Sequence, residues 1–594
     1  MFRLTDPQLS LMESRFLVSP EKRARLERSW AESFRTHVLP LIDEEAFRSC
    51  FSEDNGRPNK SIRVLVGLHL LKEADDLTDA QILDGIEFNI QWQHALGVRP
   101  DDAHVCEKTL HNFRHKFMED GRAQAVFEQV TEALMKADGL SAVRQRLDST
   151  HVISNIRLLT RLGLFTETVT NFLRELRRQA PEKLTRLDDG YTKRYLDREG
   201  YFADAKREQA PRRILVAAQD LYALVRAFEG DEVVREWPSY ALLARLLADQ
   251  CDVVGEPGAE MPVRVKEPAE IAPTSLQSPH DPDATYGHKG KGYEVQLIET
   301  CVEDNPYQVI TGVEVTGAHS SDQHAIVPMV EQLAERGLAP DVLLADTGYG
   351  SGENIVECAE MGVALLGPVQ DPAAPARPDH WEEPVDAVAN ETATTVPTAH
   401  VPADVPAAHA SSHATHQACQ DAAEAPATSE EAAPALGLDA FVFNDTFDQV
   451  LRCPQGHAPT SRDVTDMAYY ATFPGHSCAS CPLADTCPTR RRKGTEDRVL
   501  RWRDTKAATA TRQRTQQEPA FKQAYRLRSG IESTNAEIKG RHGAGDLRVR
   551  REPRVRLALH LKAAALNVKR ALQHHTEALR AASAAAQTAE LAYG

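Results

Sequence analysis

Four side chains between Pro519 and Gly543 combine types that do phosphate and metal chemistry: Tyr525, Arg528, Glu532 and Lys539. On a helix turning about 100° per residue they fall within an arc of roughly 60°. One face then carries a phenol, a guanidinium, a carboxylate and an ammonium, which suits a metal ion and a phosphate better than a hydrophobic core. Pro519 fits the first turn of such a helix and Gly540 its end. Glu537 lies well off the arc, which leaves Glu532 as the acid. The competing reading is an exposed helix with scattered charges.

The spacing of Tyr, two residues, Arg, three residues, Glu, six residues, Lys resembles the signature of DDE transposases from bacterial insertion sequences. That resemblance implies two upstream aspartates, each at the end of a strand, and two segments answer. In VRQRLDSTHVISN, Val143, Gln145 and Leu147 alternate with bases as a strand entering a sheet would, and Asp148 stands where it would end. In DVLLADTGYGSGENIVECAEMG, Asp341 to Ala345 reads as a short apolar strand with Asp346 at its carboxyl end. Ligands of open α/β sheets gather outside such ends. Taken alone, each aspartate would read as a turn residue or helix cap. Asp-Ser-Thr and ADTGYGS resemble the family's first and second aspartate regions.

The elements that must position these acids follow from periodicity. Strands are expected from Tyr293 to Val302, from Gln308 to Thr316 and from Val363 to Gly367, with helices from Ser321 to Gly337 and from Ser351. Periodicity alone yields an α/β chain with helical insertions; the resemblance implies a ribonuclease-H-like catalytic core. His288, Lys289 and Lys291 sit among glycines and could bring positive charge and backbone amides near a phosphate, or form a plain exposed loop.

Residues 1–140 read as helical. Ser61 to Leu77 is apolar beyond one stripe and is expected to be buried; a second helix runs from Thr78 to Gly97. The basic, aromatic segment Lys108 to Phe117 follows a turn and reads equally as a DNA-reading helix or as a packing element. The resemblance favours binding of the element's ends. Residues 141–370 hold the first part of the core, with a helical insertion at about 155–280. Residues 371–440 carry 12 acids and one base, Arg377, and are rich in Ala and Pro, so a disordered insertion is expected. His400, His409, His413 and His416 within it read as solvated rather than ligating. Residues 501–575 complete the core, and 576–594 form an Ala-rich tail.

Between them, in 441–500, Cys453, Cys478, Cys481 and Cys487 cluster around one Cys-x-x-Cys, with His457 as a substitute ligand. Four clustered thiols fit a tetrahedral structural Zn²⁺ site holding a small knuckle; an iron–sulfur cluster or free thiols are the other readings.

Net charge is −18 over 594 residues, yet residues 441–594 alone carry 26 bases and 15 acids. A basic zone beside a carboxylate helix fits a polyanion. No run of 18 apolar residues occurs and no signal peptide is recognisable at the start, so the expected location is cytoplasmic, with the nucleoid, and no membrane partner is expected.

The chain resembles the large insertion-sequence family numbered 1182. The resemblance implies two Mg²⁺ (or Mn²⁺) ions on Asp148, Asp346 and Glu532. It also implies phosphate contacts from Tyr525, Arg528 and Lys539, strand cleavage at terminal inverted repeats of double-stranded DNA, transfer of the free end to target DNA, and a homodimer. The alternatives are an inactive DNA-binding regulator derived from a transposase and a metal-dependent nuclease without strand transfer.

Overall fold

The computed structural model describes residues 1–5, 17–118, 121–197, 201–202, 209–255, 262–370, 436–465 and 468–593. Most of the acidic segment, 371–435, lies outside the described residues, and so does the expectation placed on it.

Asp148 lies in a six-stranded sheet and Asp346 in the loop that leaves it. β1 (Arg144–Val152) is followed by a separate hairpin, β2 (Cys251–Val253) with β3 (Val263–Val265). Then come β4 (Thr285–Gly287), β5 (Gly290–Thr300), β6 (Ile310–Gly317), β7 (Val342–Leu344) and β8 (Ala364–Leu366). β1 is central. It runs antiparallel to β5, with Asp148 opposite Leu297, and parallel to β7, with Arg146 opposite Leu344. β5 also pairs antiparallel with β6 and β4, and β7 pairs parallel with β8.

Asp148 does not end its strand, as the alternation suggested; it lies inside β1. The reason is that β5 keeps pairing as far as Tyr293 opposite Val152, while β7 stops at Leu344 opposite Arg146. Asp148 therefore stands just past the end of β7 on an otherwise paired strand. The β1–β7 register, carried two residues further, brings Asp346 level with Asp148.

Each face of the sheet is covered. On one, Val295, Val313 and Val315 share a core with the helices Ile62–Ala74, Glu107–Met118 and Arg122–Asp138 and with the long helix Glu552–Tyr593. On the other, Leu147 and Ile298 pack against the helices Ile326–Glu335 and Gly352–Glu360. The N-terminal helices thus share their core with the sheet. Within Ile62–Ala74 the buried positions run round the helix, as expected, because it lies between neighbours on several sides. The helical segment from Arg161 to Gln250 has a core of its own. The last helix continues through the Ala-rich tail to Tyr593.

Three expected helices are interrupted. Thr78 forms a capping box with Gln81 and Gly97 closes in the left-handed region, but Asn89 splits the span into Asp79–Phe88 and Ile90–Leu96. Its Oδ1 accepts from the amides of Gln91 and Trp92 and so starts a new helix. The segment after Ser321 begins as a 3-10 turn, Asp322–His324, before the helix Ile326–Glu335. The Tyr-Arg-Glu-Lys segment is Pro519–Tyr525, a 3-10 turn Arg526–Ser529 and a helix Gly530–Gly540.

The thiol-bearing region forms β9 (Val442–Phe443), β10 (Val450–Arg452), β11 (Ser461–Thr465), β12 (Ala468–Phe473), β13 (Arg490–Arg491) and β14 (Arg498–Trp502). The last four make a sheet of order β11–β12–β14–β13 over a small core including Phe441, Phe473 and Trp502.

Candidate active site

Carboxylates from three distant segments meet on one guanidinium. Arg528 Nη2 donates to Asp148 Oδ1 at 2.8 Å and lies 3.5 Å from Asp346 Oδ2, while Nη1 donates to Glu532 Oε1 at 3.0 Å. β1 supplies Asp148 and the loop after β7 supplies Asp346. The helix Gly530–Gly540 carries Glu532 in its first turn, where the helix dipole favours a negative charge. The 3-10 turn just before it carries Arg528. The Asp346 carboxylate is itself held by its loop, since Oδ1 accepts the amide of Gly348 at 2.8 Å.

The three acids differ in exposure. The Asp148 side chain is 12% exposed, that of Asp346 37% and that of Glu532 63%. Burial pushes the Asp148 carboxyl up, against the pull of Arg528 and with the push of Asp346. Burial works against the Arg528 charge, but Asp148, Tyr525, Asp346 and Glu532 more than offset it. Two like charges about 4 Å apart repel by about 4 kcal/mol at an effective dielectric of about 20. Three carboxylates therefore need positive charge between them, and Arg528 supplies one unit.

A second set of contacts holds this group. Asn535, one helical turn after Glu532, donates Nδ2 to Asp148 Oδ2 at 3.0 Å, and its Oδ1 is buried without a partner. Ser149 donates to Asp322 Oδ2 at 3.1 Å, and Gln296 Nε2 donates to Asp322 Oδ1 at 2.7 Å. The buried Tyr349 phenol donates to Gln296 Oε1; burial, Asp322, Asp148 and Asp346 all push it well up.

The remaining candidates divide. Tyr525 stacks on Phe521. Burial pushes its phenol up, opposed by Arg528 and assisted by all three carboxylates. Lys289 Nζ reaches Glu294 at 2.7 Å and the Ser149 hydroxyl at 3.3 Å, on the face of β1 opposite the Asp148 side chain. Lys291 turns away: its Nζ donates to the carbonyl of Leu159 at 2.7 Å, and burial lowers its pKa. His288 and Lys539 are exposed. Glu537 binds Arg570 and Arg541.

Cys453, Cys478, Cys481 and Cys487 line one pocket together with His457 and Arg498. All four are free thiols. Burial pushes the Cys478 thiol up; Arg498 opposes this and the other three thiols add to it. Cys453 and Gly456 form a tight turn in which the Cys453 amide donates to the carbonyl of His457. Among the described residues, no group of three or more His, Cys, Asp or Glu side chains is arranged to hold a metal ion as it stands.

Asn535, Ser149 and the buried Glu299 that anchors the Glu532 helix were not singled out from the sequence. Asn535 had a signal: it stands three residues after Glu532, on the same face. Glu299 had none, being one polar residue within a strand.

Two family models match the chain. The Transposase DDE domain matches residues 452–572, which include Tyr525, Arg528, Glu532, Lys539 and the four thiols. The Transposase domain (DUF772) matches residues 24–116, within the N-terminal helices. Together they support a DDE transposase, a DNA-processing enzyme, and the first suggests a ribonuclease-H-like core. No curated protein and no solved structure matches. No described helix is long and apolar enough to cross a membrane.

Proposed function

We propose that the chain is a DDE transposase in which Asp148, Asp346 and Glu532 form the catalytic site that cuts DNA at the ends of an insertion sequence and joins the freed end to target DNA. One observation carries this reading: carboxylates from β1, from the end of β7 and from a helix nearly 400 residues downstream all lie against the Arg528 guanidinium. The strand order supports a ribonuclease-H-like core, since antiparallel β6, β5 and β1 are followed by parallel β7 and β8.

The donor set is oxygen only, which fits Mg²⁺ or Mn²⁺. The guanidinium marks where positive charge is stable among these acids. Asp148, Asp346 and Glu532 would hold two such ions, whose chemistry when bound is to acidify water or a 3′ hydroxyl and to stabilise the leaving oxygen. The protein's own groups do the rest. Arg528 exchanges the carboxylates for a DNA phosphate, which it grips with two parallel hydrogen bonds. Tyr525 orients the strand beside it. Lys289 and Lys539 add positive charge toward the backbone. Asn535 holds one oxygen of Asp148 and aims it, and Arg528 holds the other until it turns to the phosphate.

The helix Glu107–Met118 buries Leu110, Phe113 and Phe117 and exposes Lys108, His111, Asn112 and His115. That polar face supports recognition of the element's terminal inverted repeats. Joining two ends calls for two copies of the chain, hence a homodimer on DNA.

The four thiols are proposed to hold one structural Zn²⁺. They line one pocket and raise one another's thiol pKa at Cys478, and four thiolates are the donor set a structural Zn²⁺ takes. Metal analysis of the purified chain should find about one zinc per chain, lost in Cys478→Ser.

The test of function uses the inverted repeats that flank the gene. A labelled duplex carrying one repeat, incubated with the protein and Mg²⁺, should yield nicked product and products joined to a second DNA. Nicks without joining would favour a nuclease. Binding without nicks would favour a regulator and remove the catalytic reading.

A further inference from the structure

We infer that Arg146 is a positioning residue that sets the register of the Glu532 helix against the strand bearing Asp148, reaching it through a gap left by Gly530. The inference rests on the reading of those carboxylates as the catalytic site.

Side chains alternate along β1, so Arg146 and Asp148 share one face while Leu147 enters the opposite core. Arg146 stands opposite Glu299 on β5. Its Nε and Nη2 donate to Glu299 Oε2 at 2.8 and 2.6 Å. The Glu299 side chain is fully buried, and its other oxygen accepts Thr534 Oγ1 and Arg570 Nη1, each at 2.5 Å. Thr534 belongs to the Glu532 helix and Arg570 to the last helix. Glu299 is thereby tied to both helices.

One nitrogen of the Arg146 guanidinium remains. Nη1 donates to the carbonyl of Leu527 at 2.9 Å, inside the 3-10 turn that carries Arg528. This contact needs Gly530. A Cβ there would lie 1.9 Å from Arg146 Nη1 and 2.6 Å from its Cζ. The backbone at Gly530 is helical, with φ −63° and ψ −23°, so conformation does not call for glycine. Helix propensity would favour alanine. Space for the guanidinium accounts for the residue.

A second tie lies further along the helix, from Asn535 to Asp148. Strand and helix are thereby pinned at two points, Leu527 and Asn535, with Glu532 between them in the chain. The Leu527 carbonyl, which also accepts the Gly530 amide in the 3-10 turn, thus joins the break in the helix to the guanidinium.

The test uses the full-length chain and Mn²⁺-dependent nicking of a supercoiled plasmid that carries the inverted repeat flanking the gene. Gly530→Ala should lower kcat about 100-fold, the scale of an ångström-sized misplacement, with KM for plasmid and the thermal midpoint little changed. Arg146→Lys keeps a charge against Glu299 but gives up Leu527, and should lower kcat about tenfold. The double variant Gly530→Ala with Arg146→Lys should be faster than Gly530→Ala alone, because the nitrogens that the methyl strikes are gone. Nicking by Gly530→Ala within threefold of the unaltered chain, or a double variant slower than that single one, overturns the inference. Should the unaltered chain not nick at all, the transposase reading fails by itself. The register is then read from amide exchange over residues 526–535. Gly530→Ala should speed that exchange at least tenfold and the double variant should restore it; unchanged exchange overturns the clamp.

Discussion

The carboxylate site and the thiol pocket are assembled in opposite ways. Arg528 and Asp148 are 380 residues apart in the chain, and their meeting depends on a sheet with both faces covered and on a helix docked over it. The thiols come from neighbouring turns of one small β-rich region with a modest core. The first site stands on a framework with an apolar core on each face of its sheet, and Arg528 already neutralises part of its charge. The second has little apolar surface to hold it, so a bound ion would contribute directly to folding. A metal ion would be a reactant's partner in the first place and a structural element in the second.

The sharpest way to break this contrast is Glu532→Gln. Glu532 is mostly exposed, so the variant should fold as before and bind DNA within a few-fold, while nicking falls at least about 1,000-fold, or about 4 kcal/mol. A variant that cuts normally would dismiss the site. Next in size is Glu299→Gln, which leaves Arg146 and Arg570 beside a neutral amide. Urea unfolding should show a loss of about 3 kcal/mol, placing the stability of the carboxylate region in its buried ion pairs and not in its reactive acids. An unchanged unfolding curve would refute that division. Removing zinc with a chelator should speed amide exchange in 441–502 at least about tenfold, or about 1.4 kcal/mol, and leave β1 and β5 untouched. Uniform loosening of both regions would erase the distinction. The smallest effect is expected from Arg528→Ala. With the competing guanidinium gone, Mn²⁺ measured by titration without DNA should bind about fivefold tighter, or about 1 kcal/mol, while DNA binds more weakly. Weaker Mn²⁺ binding in that variant would show that Arg528 does not stand where the cations belong.

Parts of this arrangement were legible beforehand. Asp346 follows an apolar run, Asp148 an alternating one, and Tyr525, Arg528 and Glu532 keep a helical spacing that survives the 3-10 turn. The Thr78 cap, the Gly97 stop and the Ser351 cap were equally readable, because a cap depends on residues a few positions away. Lys291 was misleading. Its glycine-rich surroundings suggest an open phosphate loop, yet the hairpin of β4 and β5 carries it back to the Leu159 carbonyl. Glu299 and Arg146 were unreadable, since a charged residue in a strand looks the same whether it faces solvent or a partner across the sheet.

The amino-acid order by itself determined which segments alternate, where helices begin and end, which strand is followed by an acid, and that four thiols cluster. These properties arise between near neighbours, through backbone sterics and local hydrogen bonds. That three acids converge on one guanidinium, that Asp148 stands level with Asp346, and that Gly530 clears a path for Arg146 was decided only in the tertiary structure. Each depends on strand register and helix docking between remote segments, which packing of the whole core selects.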